Sequence, residues 1–515
     1  MEARLLNRPK KVCIVGLDGL SLENLVFLLK RINLPHIRSI IKNCSASPQS
    51  LPPLTPAIWT SIFTGVNPGK HGIFGFKKAV RYKDFITGMK LVSPADIKYP
   101  RIFEMLGMLN LRSVVINVPL TYPFNEIVAR NNMIIVTDWI APNQKIWPYS
   151  IEKKYREYLL PPPHKWGKEL STEKYVKKVR NYLYTRMQIY LDILESHDWD
   201  LFIIVFSEID WILHKVPSIV LGEKLNLIKP ILELIDKFLA SVIKNCEMTV
   251  LVSDHGFNIK TVLLNLNSLF IRKGFLRYEH TIDIKGIIKR RTGSSTCSKS
   301  SVTNPEKTLL SQLLKTLRRL ISTSQTLNNI YNSMLAMGLN KLTKSFLDYN
   351  NSIALMIEPM SWGVYVKKDY EEKVREVFNG LKGIKKVFRI NEIFNGPYIN
   401  NGPNLIILPE ENVLLSSELY SDVYRKIFVA SHSTTALFAI SGEGVEKHGF
   451  INNISHYDLV PTILYYMGLP IPLNSDGRPL TELFNNADRT VPKLNYLLKF
   501  KLAKVVGRIK RKRKT

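Results

Sequence analysis

Cysteine is scarce in this chain. The four present, Cys13, Cys44, Cys246 and Cys297, lie far apart in the sequence and include no CxxC pair. That pattern excludes a zinc ribbon and a secreted disulfide framework, and makes a reducing compartment the default. A core drawn from 515 residues needs no such staples. Long apolar runs are missing as well. No stretch approaches the roughly 18 uninterrupted apolar residues that suggest a membrane span. No signal-peptide segment precedes the apolar run that opens at Val12, so a cytoplasmic protein is expected, peripheral at a membrane at most. Acidic residues are few, 43 against 72 Lys and Arg, for a net charge of +29. The surplus favours anionic partners: phosphate esters, nucleic acid or an acidic membrane face. The plainer reading is a Lys-rich surface facing water. No internal repeat is visible.

What the chain does contain is alternation. Val12 to Gly16, Ser113 to Asn117, Leu201 to Phe206 and Met248 to Val252 are short continuous apolar runs, the signature of strands covered on both faces. Between them, Thr172 to Ser196 and Leu225 to Lys244 repeat apolar residues at helical spacing. The expected class is α/β, a mostly parallel central sheet with helices on both faces and functional residues at the C-terminal ends of the strands. Residues 1–283 and 350–492 read as two parts of that core. Residues 284–349 read as an insertion, a basic Ser/Thr-rich loop (KRRTGSSTCSKSSVTNPEK) followed by helical sequence around Leu309 to Leu347. It either caps the site or pads the surface. Residues 493–515 form a tail in which Leu494, Leu497, Leu498, Leu502, Val505, Val506 and Ile509 are expected on one broad helical face among many basic residues. This is either a helix for a membrane surface or anionic partner, or a terminal helix docked on the domain with a frayed basic end.

Four segments carry residues suited to divalent metals. Asp18, followed by Gly19, stands at the mouth of the first strand, where a cap or turn role is the bland alternative. Thr55 precedes Pro56 at a helix start. There its hydroxyl is either an N-cap or a nucleophile set among free N–H groups and the positive helix end. Asp210 and His214, four apart, share one helical face. Asp254 and His255 directly follow a strand, where an adjacent Asp–His pair has few structural reasons to be. His432 sits in a polar loop-like context before the strand-like ALFAIS. His71, in a Pro-Gly-Lys-His-Gly loop, reads as structural, and His36, His164, His197, His280, His448 and His456 read as ordinary.

Taken in order (strand–Asp18, Thr55 to Thr64-Gly65, Lys70-His71-Gly72, Asp210-x-x-x-His214, Ser253-Asp254-His255-Gly256, the late His432, then Asp458 to Pro470 and Asp476-Gly477) these segments resemble the type I phosphodiesterase/nucleotide pyrophosphatase family of the alkaline phosphatase superfamily, across roughly Val12 to Leu480. The resemblance implies an alkaline-phosphatase-like sheet and two bound divalent metal ions, zinc, with manganese compatible with the same ligands. One ion would be held by Asp18, Thr55, Asp254 and His255, the other by Asp210, His214 and His432. It also implies hydrolysis of phosphodiester or pyrophosphate bonds in a small substrate through a phospho-threonine on Thr55, with no nucleic acid required. One departure stands out. Many nucleotide-cleaving members carry Asn three residues after the nucleophile, where this chain has Ile58. Either Lys70 or a lysine of the insertion replaces it as phosphate donor, or the substrate is not a nucleotide. A phosphomonoesterase, a phospho-head-group transferase and a non-catalytic binder of anionic surfaces are the alternatives. A sulfatase is disfavoured by the absence of a C/S-x-P-x-R pattern. Oligomeric state is left open.

Overall fold

The computed structural model describes residues 9–82, 85–282, 343–349, 351–485 and 490–512. Its centre is a nine-stranded sheet in the order Gly449–Phe450, Cys44–Ala46, Phe438–Gly442, Met248–Val252, Val12–Leu17, Leu201–Phe206, Ser113–Ile116, Met133–Val136, Ile146–Trp147. The five strands from Met248–Val252 to Met133–Val136 run parallel. Phe438–Gly442 and Ile146–Trp147 are antiparallel to their inner neighbours. All four runs read as buried strands are therefore adjacent in the middle of one sheet.

Their continuous apolar character follows from two-sided burial. Cys13, Val15 and Leu17 point into one core, where Thr172–Ser196 and Leu225–Asn245 pack. Val12 and Ile14 point into the other, with Thr55–Thr64 and Leu459–Tyr466. Each aliphatic side chain fully buried here contributes about 1.5–3 kcal/mol, so the strand mouths stand on a rigid slab. Gly16 sets how closely the Thr55–Thr64 helix approaches. A Cβ there would lie 2.5 Å from Trp59 Cη2, so only glycine lets the indole lie against the strand.

Beyond the central sheet, Gly256–Asn265 pairs with Val413–Ser416 and, antiparallel, with Tyr424–Ser433. The stretch after Ala354 forms a four-stranded antiparallel sheet with the short helix Glu371–Glu376 and an apolar core of its own around Phe270, Trp362, Phe378 and Ile406.

Two expectations need correction. The basic loop of the insertion and most of its expected helix lie outside the described residues. The end of that helix does not: Thr343–Leu347 is a strand, paired antiparallel with Tyr278–Ile282. A partner strand far back in the sequence supplies a hydrogen-bond ladder that overrides the local helical pattern.

The tail is the second correction. Tyr496–Lys512 is a helix, but its apolar residues do not share one face. Tyr496 and Phe500 are buried, and Leu494 and Leu497 pack beside them against the second core, whereas Leu498, Leu502, Val505, Val506 and Ile509 are exposed. Among the described residues no helix is long and apolar enough to cross a membrane. Cys13, Cys44 and Cys246 are free thiols. Cys246 Sγ–H donates to the Val242 carbonyl at 3.2 Å.

Candidate metal centre

Three neighbouring parallel strands end at one place. Asp18 is the first residue after Val12–Leu17, Asp210 lies in the helix Glu208–Lys215 that follows Leu201–Phe206, and Asp254-His255 follow Met248–Val252. The in-register pairing of these strands brings all three carboxylates to the same edge of the sheet. Gly19 allows the closeness. Its φ is +78°, and a Cβ would meet Phe257 at 2.7 Å and the Asp210 Cα at 3.3 Å. Its N–H donates to Asp254 Oδ1 at 3.3 Å.

Thr55 is the first residue of its helix, with Leu54 as N-cap and no side-chain cap. The capping reading of its hydroxyl therefore fails, and Thr55 Oγ1 lies instead 3.4 Å from His255 Nε2. The helix start also differs from the expected row of free donors. Ala57 and Ile58 N–H both donate to the Leu54 carbonyl, and Pro56 has no N–H. What the helix offers an anion here is chiefly its positive end.

His432 arrives from 177 positions further along the chain than His255, on the strand Tyr424–Ser433, directly opposite Phe257. That register stacks the two imidazoles with ring centroids 3.5 Å apart. His432 Nδ1–H donates to the Pro53 carbonyl at 2.8 Å. This hydrogen bond orients the ring so that Nε2 faces Asp210 and His214.

The seven residues singled out in the sequence thus form one cluster. His255 Nε2 is 3.2 Å from Asp254 Oδ2 and 3.8 Å from Asp18 Oδ1. Asp210 Oδ1 is 3.5 Å from both His214 Nε2 and His432 Nε2, which are themselves 3.1 Å apart. Two donor sets emerge, Asp18–Asp254–His255 and Asp210–His255–His432. His255 stands between them rather than on one side. The His214 side chain is 42% exposed and marks the face open to solvent.

Asp18 Oδ1, Asp210 Oδ1 and Asp254 Oδ2 are buried with no hydrogen-bond partner among the described residues. Orphaned carboxylate oxygens facing imidazole nitrogens are the donor chemistry of a divalent cation, so these residues fit the metals that the resemblance implies.

Protonation tells the same story. Burial, then the charges of Asp254 and Asp210, holds Asp18 well above the usual carboxylate range. Burial likewise lifts Asp254 to about 7. Burial, then His432, keeps His255 well below the usual imidazole range, hence neutral. A cation must displace the protons of the two raised carboxylates, so zinc affinity is expected to fall by about tenfold or more per unit as pH drops below 7. Calorimetry in buffers of different ionisation enthalpy, read at pH 6 and pH 8, checks this through the protons released. Equal affinity at both values would contradict it.

Residues 12–384 match the family described as type I phosphodiesterase / nucleotide pyrophosphatase. The chain belongs to that family. Its members are metal-dependent, and the protein is a hydrolase of the phosphodiesterase/nucleotide pyrophosphatase type. No curated protein matches it by sequence. Solved structures do share its fold. Murine ectonucleotide pyrophosphatase / phosphodiesterase 5 is 12% identical, with a TM-score of 0.51 over 92% of this chain and 100% of that one. Phosphonoacetate hydrolase from Sinorhizobium meliloti, solved with phosphonoformate, is 12% identical, with a TM-score of 0.51 over 89% and 95%. The alkaline phosphatase PafA is 13% identical, with a TM-score of 0.54 over 93% and 100%.

Within this member of the family, several supporting residues carry no sequence signal. Ser207 Oγ–H donates to Asp18 Oδ2 at 2.8 Å. Ser50 Oγ–H donates to the Asp254 carbonyl and lies 2.7 Å from His456 Nε2, so His456, read as ordinary, backs the Asp254-His255 segment. Phe257 packs edge-on against the His214 and His432 rings. His71 is structural as expected: it is buried, hydrogen-bonded to Ser61 at 2.9 Å, and burial lowers it to about 3. Ile58 is buried in the second core. Lys70, the expected replacement donor, is tied to Asp476 and the Asn474 carbonyl. The other candidate, an insertion lysine, lies outside the described residues.

Proposed function

We propose that this chain hydrolyses phosphodiester or pyrophosphate bonds in a small substrate through a phospho-threonine on Thr55. The observation that carries the reading is the Thr55 hydroxyl, released from capping and held 3.4 Å from His255 Nε2 beside orphaned carboxylate oxygens. Asp18, Thr55, Asp254 and His255 would hold one divalent cation, and Asp210, His214 and His432 a second. We take both to be zinc, with manganese as the substitute. Bound there, the pair supplies positive charge for the phosphoryl oxygens and acidifies the threonine hydroxyl.

The chain's own residues do the rest. The helix start would present Thr55 Oγ1 to the phosphorus and add its positive end. The Oγ1–P bond forms, its hydroxyl proton lost to solvent, as the ester P–O bond breaks. The leaving oxygen departs toward the exposed His214 side, where it takes a proton from solvent. Water then cleaves the phospho-threonine and restores the hydroxyl. Buried Ile58 and the engaged Lys70 favour a leaving group other than a nucleotide.

Turnover of bis-p-nitrophenyl phosphate, p-nitrophenyl phosphate and p-nitrophenyl thymidine 5′-phosphate with zinc or manganese tests the assignment. The first is expected to be cleaved about tenfold or more faster than the second. Faster monoester cleavage would make the enzyme a phosphomonoesterase. Two bound metals without turnover of any of the three would make it a transferase.

A further inference from the structure

The C-terminal helix has two faces with opposite roles. At about 100° per residue, Tyr496, Leu497, Phe500 and Lys504 project to one side, and that side is held. Tyr496 and Phe500 are buried, the Tyr496 hydroxyl donates to the Pro470 carbonyl at 2.8 Å, and Lys504 Nζ donates to the Ile97 carbonyl at 3.0 Å. Lys504 also lies 4.4 Å from the Phe500 ring centroid. On the opposite side Leu498, Leu502, Val505, Val506 and Ile509 fill an arc of about 100° by the same geometry. They are between 49% and 58% exposed. Exposed Lys499 and Lys501 flank that stripe. From Lys493 to Thr515 the chain carries ten Lys and Arg and no Asp or Glu.

We propose that this stripe docks the enzyme on an acidic lipid bilayer. A helix pinned by one face cannot turn its aliphatic residues inward, so five neighbouring aliphatic side chains remain in water unless a partner covers them. The partner must accept aliphatic groups and a dense positive charge together. The headgroup–acyl boundary of an acidic membrane does both: the aliphatics enter the boundary and the flanking lysines meet the headgroups. Nucleic acid would use the lysines and leave the aliphatic stripe wet. A second copy of the chain would bring two lysine-flanked stripes together and repel. The docking face is independent of the hydrolytic site, because Tyr496, Phe500 and Lys504 attach it to the core and to the Ile97 loop rather than to the metal cluster.

The test is co-sedimentation of the full chain with vesicles of phosphatidylcholine alone and of phosphatidylcholine mixed with phosphatidylglycerol. The wild type is expected to bind the acidic vesicles at least about tenfold more tightly than the neutral ones. Leu502→Ser with Val506→Ser, which leaves every charge in place, and Lys499→Gln with Lys501→Gln should each weaken acidic-vesicle binding several-fold. Circular dichroism and thermal melts should show both variants folded like the wild type. Binding that survives the serine pair unchanged would mean charge alone acts, as for a nucleic acid, and would overturn the proposal. So would absent vesicle binding together with a dimer in solution that the serine pair dissociates.

Discussion

Thr55→Ala should lower metal-dependent phosphodiester turnover by roughly 10³- to 10⁶-fold, the scale on which removing a nucleophile acts. The loss should fall on kcat. Asp18, Asp254 and His255 remain in the variant, so each chain should still take up two metal ions, with modestly weaker affinity at one. Folding should be barely affected. The hydroxyl makes no capping bond, so its removal is expected to cost under about 1 kcal/mol, less than the loss of a true N-cap can. Thr55→Ser keeps an attacking oxygen and should retain a measurable part of the rate. Steady-state kinetics with zinc, together with metal content per chain, decides the matter. An alanine variant that keeps a tenth of wild-type kcat would remove Thr55 from the chemistry and leave the cluster a metal site of another kind.

Asp18→Asn should stabilise the metal-free protein and remove most of the stabilisation that zinc brings, so the order of stability of the two proteins reverses with metal. In the metal-free fold, Asp18 is held well above its usual range by burial and by Asp254 and Asp210. A group raised in this way contributes stability at pH values below its unfolded value, near 4. That stability is lost as pH rises through the folded value. At pH 8, far above the unfolded value, burial of this carboxyl therefore carries a penalty in the metal-free fold. Asparagine removes it and can still accept the Ser207 hydroxyl. A gain of about 1–3 kcal/mol is expected, the scale of a buried polar group left unpaired. With zinc at a hundred times its Kd, the wild type should gain about 2.7 kcal/mol by mass action, and the variant much less. Melting both proteins at pH 8 in chelator and in excess zinc tests the reversal. A variant less stable than wild type in chelator would show that Asp18 is already satisfied without a cation.

Both expectations rest on residues that stand out in the sequence alone, and the reason is local. Val12 to Leu17, Leu201 to Phe206 and Met248 to Val252 declare themselves as buried strands by their own side chains. Asp18, Asp210 and Asp254-His255 follow each of them within a few residues. In a parallel sheet, the end of a strand is also a place in space. The same locality makes Asp210 and His214 a pair, since one helical turn is set by the backbone alone.

Other features are not local and carry no such signal. Whether Thr55 caps its helix or presents a free hydroxyl depends on Leu54 taking the cap. Lys70 has the chemistry of a phosphate donor, but Asp476, some four hundred residues later, holds it. His456 acquires a role only because Ser50 and the Asp254 carbonyl lie beside it. Thr343–Leu347 is a strand because Tyr278–Ile282 is there to pair with it. The C-terminal leucines and valines divide between a docked face and a bare one according to where Tyr496 and Phe500 find the core.

By itself, the sequence determined the α/β class, the buried parallel strands and the placing of Asp18, Asp210, His214, Asp254 and His255 at strand ends or one helical turn apart, because those are properties of a few consecutive side chains. Thr55 and His432 join them in the sequence only through the family resemblance. Only the tertiary structure decided how those residues meet. It set His255 between two donor sets, stacked against His432, and left three carboxylate oxygens without partners. Those contacts come from the register of Gly256–Asn265 against Tyr424–Ser433, fixed by hydrogen bonds and packing between segments that no short stretch of sequence contains.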